Sequence, residues 1–144
     1  GCLILSLIFV WAGASGTKDY FAGFIGNKFA IPAGQMFFRA VLCNFFVCLG
    51  VLCGIKLKSE AAKFLMIVMC ISGFVVSGFE HCVANMFYIP AGMMTASAYG
   101  IAAEGLNIGT FILNNLIPAT IGNIFGGVIV VGFLYWYLFL REKN

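Results

Sequence analysis

The chain has 144 residues, of which 62% are hydrophobic and 9% charged, and its mean hydropathy is +1.06. Soluble domains carry about a quarter charged residues, so there is too little polar side chain here to cover a globule, and lipid is the expected solvent. The net charge of +3 comes without a basic run, which argues against a nucleic-acid partner.

Residues 1–16, "GCLILSLIFVWAGASG", form the first apolar stretch. It has no basic flank before it and no cleavage pattern, so it does not read as a signal peptide. The reading is the end of a membrane span, with the 144 residues a fragment of a single transmembrane domain. Residues 17–35 then read as a polar and glycine-rich connector carrying Lys18 and Lys28.

A span follows near 36–55. Residues 40–55 are free of charge, and Arg39 stands at the edge, where a long cationic side chain can snorkel. Cys43, Cys48 and Cys53 recur every five residues, which spreads them around a helix. There is no C-x-x-C pair, and the hydropathy argues against a disulfide-rich secreted domain, so the six cysteines are read as small buried residues. No metal site and no cofactor are expected. The connector 56–63 carries Lys56, Lys58 and Lys63.

Residues 64–103 are the unusual stretch. At about 1.5 Å per residue they would reach about 60 Å as one helix, twice a hydrocarbon core of about 30 Å. Only Glu80 in them is charged, with His81 beside it, and Pro90 follows. Proline removes a donor and disfavours helix at the residue before it. The expected arrangement is a helix from 64 to about 82, a loop at membrane depth around 83–91, and a short half-helix. Asn85 is the expected partner for backbone groups freed by the break. Non-helical backbone is tolerated at that depth only inside protein or against a water-filled cavity, and broken helices mark solute sites near the midplane. On a continuous helix Phe74, Ser77, Gly78 and His81 share one stripe, a plausible pore wall. Glu80 points elsewhere and is read as an anchor for loop donors or a neighbouring helix.

After a connector at 104–112, the last span lies near 113–138, followed by Arg141 and Lys143. Lys56, Lys58, Lys63, Arg141 and Lys143 fall on one side of the membrane. Lys18 and Lys28 fall on the other, so the C-terminus is expected in the cytoplasm. Small-residue pairs at four-residue spacing, Gly50/Gly54, Ala96/Gly100 and Gly122/Gly126, predict close helix packing within the bundle.

The stretch "GFEHCVANMFYIP" (78–90), with "LCNFFVCLGV" (42–51) and "IPATIGNIFGG" (117–127), closely resembles the formate/nitrite transporter family, over most of the chain. The resemblance implies an all-α membrane protein, a transmembrane helix bundle with one interrupted helix. The complete subunit would have an aquaporin-like inverted-repeat architecture, and this chain would supply the end of the third span and spans four to six. It implies a homopentamer in the bacterial inner membrane, with a pore through each subunit that passes a small monovalent anion: formate, nitrite or hydrosulfide. His81 matches the family's central pore histidine and Phe74 a constriction phenylalanine, with Phe79 in the same motif. Asn44 and Asn123 match asparagines near the path, and Lys28 a lysine behind the histidine. Cys82 stands where many relatives have serine. The alternative is a membrane anchor of a redox enzyme. Such anchors hold haem through paired histidines, and this chain has one histidine.

Overall fold

The computed structural model describes residues 1–13, 18–101, 105 and 107–141, with the backbone alone at 19 and 22. All regular structure among them is helical: α1 (Cys2–Trp11), α2 (Lys18–Phe29), α3 (Ala33–Lys56), α4 (Glu60–Val76), α5 (Cys82–Tyr99) and α6 (Ile108–Leu140). Of the expected features, residues 14–17, 102–104, 106 and the tail residue Lys143 lie outside the described residues. The expected spans at 36–55 and 113–138 fall inside α3 and α6. These are 24 and 33 residues long, apolar enough to cross a membrane. Within α6 the winding opens from α into wider π turns over Phe111–Leu116, Phe125–Phe133 and Trp136–Leu140.

The chain forms two compact units, Gly1–Gln35 with Cys82–Pro118, and Met36–His81 with Ala119–Asn144. In the first unit α5 packs on α1 and α2. The expected connector 17–35 holds a helix, α2. Its glycines disfavour helix in isolation, but Phe21, Phe24 and Ile25 fall on one side and supply the packing that decides a short helix. The ring of Phe21 lies 4.8 Å from Phe9, and that of Phe24 lies 5.5 Å from Tyr88. Ile25 is buried against Gly92, where any Cβ would collide with it. The Ser6 hydroxyl, buried in the same layer, is within hydrogen-bond reach of the Phe87 carbonyl at 3.1 Å and the Cys2 carbonyl at 2.8 Å.

In the second unit α3 and α6 run side by side in the same direction. A Cβ on Gly122 would run into the Phe37 carbonyl and Ala40, one on Gly126 into the Val41 carbonyl, and one on Gly127 into Asn44 and Cys48. Rising numbers on one helix meet rising numbers on the other, as parallel packing requires. Gly50 and Gly54 serve α4 instead: a Cβ on either would stand 3.3 Å from Cys70 and Ile67, respectively. Two of the three expected small-residue pairs therefore set helix contacts. The third does not. Gly100 has φ +65° with open space around it, and the Ile101 N–H bonds back to the Ala96 carbonyl at 2.9 Å. That is the left-handed glycine cap that closes a helix.

Candidate functional site

The interruption in the long apolar stretch is built by a glycine. Helix α4 starts on an N-cap, where Ser59 Oγ accepts from the Ala62 N–H at 3.4 Å, and runs to Val76. Gly78 then takes φ +66°, a conformation that costs other residues about 1–2 kcal/mol. The Gly78 N–H bonds to the Val75 carbonyl and the Phe79 N–H to the Phe74 carbonyl, both at 3.1 Å. This is the paired-bond Schellman cap. Residues 77–81 are non-helical, and α5 begins at Cys82.

The break thus stands before His81, which corrects the loop expected at 83–91. Residues 83–92 are helical, and Pro90 lies inside α5, buried with its neighbours Ile89 and Ala91. A proline within a bundle is tolerated where surrounding protein, not lipid, faces the freed backbone. The glycine cap stops the chain first, and no second break is needed. Since α4 has ended at Val76, Ser77, Gly78 and His81 do not continue a helical stripe from Phe74. The turn nevertheless brings the Phe74 and His81 rings to 6.0 Å between centroids.

The break is held from two sides. The Glu80 N–H donates to the Arg39 carbonyl of α3 at 3.4 Å. The Glu80 carbonyl accepts from Asn123 Nδ2 of α6 at 3.0 Å, and the same amide donates to the Ala40 carbonyl at 2.8 Å. Asn44 Nδ2 in turn donates to the Asn123 carbonyl at 2.6 Å. One buried side chain therefore ties α6 to α3 and to the unwound strand, satisfying carbonyls that lipid could not. Glu80 itself is 2% exposed. Phe79 packs on Phe46 with centroids 6.1 Å apart. His81, Phe74, Phe79, Glu80, Asn44 and Asn123 thus gather in the second unit.

The remaining expected residues belong to the first unit. Lys28 is in the last turn of α2, with its ammonium 5.1 Å from the Phe24 ring centroid. Asn85 does not serve the break as expected: it lies inside α5, and its Nδ2 donates to Asn115 Oδ1 at 2.8 Å. Two features escaped the sequence reading. Gly78, on the expected pore stripe, instead closes the helix, as a glycine after an apolar helical run can. Asn115, buried in a charge-free span, offered only its polarity as a clue.

The family model for formate/nitrite transporters matches residues 1–137. A probable formate transporter of Methanothermobacter thermautotrophicus is 47% identical over 108 residues, covering 75% of this chain and 36% of that protein. The formate channel FocA of Escherichia coli K12 is 42% identical over 115 residues, covering 72% and 40%. The nitrite transporter NirC of Salmonella typhimurium LT2 is 34% identical, covering 95% and 49%. The chain therefore spans half or less of the length of these relatives. A solved pentameric formate channel with formate bound superposes with a TM-score of 0.84 at 31% identity, covering 98% of this chain and 62% of that one. An ion channel of the same family superposes at 0.81, also at 31% identity, covering 95% and 53%. With the family model matching residues 1–137 and the helical fold superposing over nearly the whole chain, the chain belongs to the formate/nitrite transporter family and is a membrane protein.

Proposed function

We propose that this chain forms part of a channel for small monovalent anions, formate, nitrite or hydrosulfide, with His81 as the proton-exchanging residue on the path. The observation that carries the reading is the imidazole at the helix break, 6.0 Å from the Phe74 ring. The relatives named for formate and nitrite support the substrate class. The pentameric neighbour supports a homopentamer. A complete subunit with an inverted repeat, a bacterial inner-membrane location and a cytoplasmic C-terminus belong to the same proposal. A redox-enzyme anchor is not favoured by these relatives.

Physical magnitudes favour proton exchange. Moving a bare anion into a low-dielectric constriction costs about 20 kcal/mol in the ideal limit and several after relaxation. Protonating an acid of pKa near 4 at pH 7 costs only about 4 kcal/mol, and for an acid titrating near 7 almost nothing. An imidazole is the side chain whose ordinary pKa suits that exchange near neutrality. In this reading Phe74 and Phe79 narrow the path, Asn44 and Asn123 border it, and the cationic Lys28 favours anions. Glu80 supports the backbone around it.

Uptake of formate, nitrite and hydrosulfide into proteoliposomes across a pH series tests the proposal. Flux of at least one of them above empty liposomes, with a pH profile altered in His81→Gln, is the expected result. An unchanged profile removes His81 from the proton step, and no flux of any of the three overturns the channel.

A further inference from the structure

We propose that the end of the second unit carrying Lys56, Lys58 and Arg141 is a docking surface for anionic phospholipid headgroups. Because α3 and α6 run in parallel, both helices terminate there, at Lys56 and Leu140. Lys56 Nζ lies 5.5 Å from the Tyr135 ring centroid, and the Arg141 guanidinium 5.3 Å from that of Tyr137. Cations over aromatic faces are held in place, and both also sit at helix C-termini, whose partial negative charge favours them.

Among the described residues the charge at this end is not neutralised. The one exposed carboxylate of the unit among the described residues, Glu60, is spent on Lys63 at 2.6 Å. Lys56, Lys58 and Arg141 are all exposed and remain, among the described residues, as three positive charges. The occupant follows from what adjoins them. Leu138, Phe139 and Leu140, just before Arg141, are 59–71% exposed, and Trp136 and Tyr137 are half exposed. Aromatic residues of this kind settle at headgroup depth, with the cations at phosphate level and the apolar side chains against acyl chains. A soluble phosphate would meet the charges and leave the apolar band unused. A lipid uses both.

Basic residues beside an anionic surface contribute about fivefold each in affinity, so three contribute about a hundredfold. Native mass spectrometry of the purified protein in detergent, titrated with phosphatidylglycerol and with phosphatidylcholine of equal chain length, measures this. The expected result is a phosphatidylglycerol preference that falls about fivefold in Lys56→Gln and is abolished in the Lys56→Gln/Lys58→Gln/Arg141→Gln variant, while Lys18→Gln retains it. Elution and melting temperature of each variant report folding. A variant that melts early is replaced by Lys56→Ser/Lys58→Ser/Arg141→Ser. Equal binding of the two lipids, a preference surviving the triple variant, or displacement of phosphatidylglycerol by millimolar inorganic phosphate overturns the assignment.

Discussion

The rings of Phe74 and His81 stand 6.0 Å apart, tilted by 38°, across the turn that closes α4. One is the last-turn aromatic of a helix and the other the residue just before the next helix begins, so any change in the turn changes their spacing. In the proposed channel Phe74→Ala should widen the constriction. The expected outcome is faster formate uptake with poorer discrimination against acetate in the same proteoliposome assay. Unaltered rate and discrimination would place the constriction elsewhere.

The pH response has a definite sign. A larger fraction of an imidazole is charged at pH 5.5 than at pH 7.5. The charged form can give a proton to an entering anion. The His81-dependent share of formate flux should therefore be larger at the lower pH. His81→Gln, which keeps a hydrogen-bonding side chain but cannot titrate, should remove that share and leave the rest. Stopped-flow uptake at the two pH values reads it directly.

Asn123 can be tested as a clamp, independently of transport. Asn123→Ala leaves the Ala40 and Glu80 carbonyls without its donor and should cost about 1–3 kcal/mol per buried group left unsatisfied. Asn123→Asp should be worse, since an ionised carboxylate only accepts and would face two carbonyl oxygens. Melting temperatures in detergent should fall in that order. Protection of the Glu80 amide against hydrogen exchange should fall with them.

Two glycines of opposite kinds predict opposite patterns of damage. Gly78→Ala meets no neighbour, but its φ of +66° should cost about 1–2 kcal/mol and loosen the turn. Gly126→Ala is conformationally harmless but drives a methyl into the Val41 carbonyl. Overpacking of this kind costs about 1–3 kcal/mol. Val41 presents only backbone there, so trimming its side chain should not rescue Gly126→Ala. Thermal unfolding of both single variants and of Gly126→Ala with Val41→Ala separates the two mechanisms.

What the sequence revealed and what it hid have physical reasons. Spans α3 and α6 were legible because charge-free runs of that length have few fates other than lipid. Glycine pairs 50/54 and 122/126 were legible as packing because small residues at four-residue spacing let helix backbones approach. The position of the break was not. Pro90 is the stronger helix breaker by intrinsic propensity, but surrounding protein accommodates it, while Gly78 acts through a left-handed turn that the apolar run conceals. Helix α2 was hidden for the converse reason. Its propensity is poor, and its stability comes from Phe9, Tyr88 and Gly92, which lie far away in sequence. Of the candidate site, the residue types could be picked out in advance. The Asn123 bridge could not, because it joins residues 83 and 43 positions apart.

Those separations set an order of events during synthesis. The bonds that hold Asn44 and the unwound strand depend on Asn123, which follows Asn44 by 79 residues and Glu80 by 43. At about 5–20 residues per second, α3 spends roughly 4–16 s in the translocon or bilayer before its partner helix is made. During that interval Asn44, and for its last roughly 2–9 s the carbonyls around Glu80, must be satisfied by water, by the insertion machinery or by earlier parts of the nascent chain. Biogenesis of this protein therefore passes through an exposed polar stage that ends only when α6 slides in beside α3.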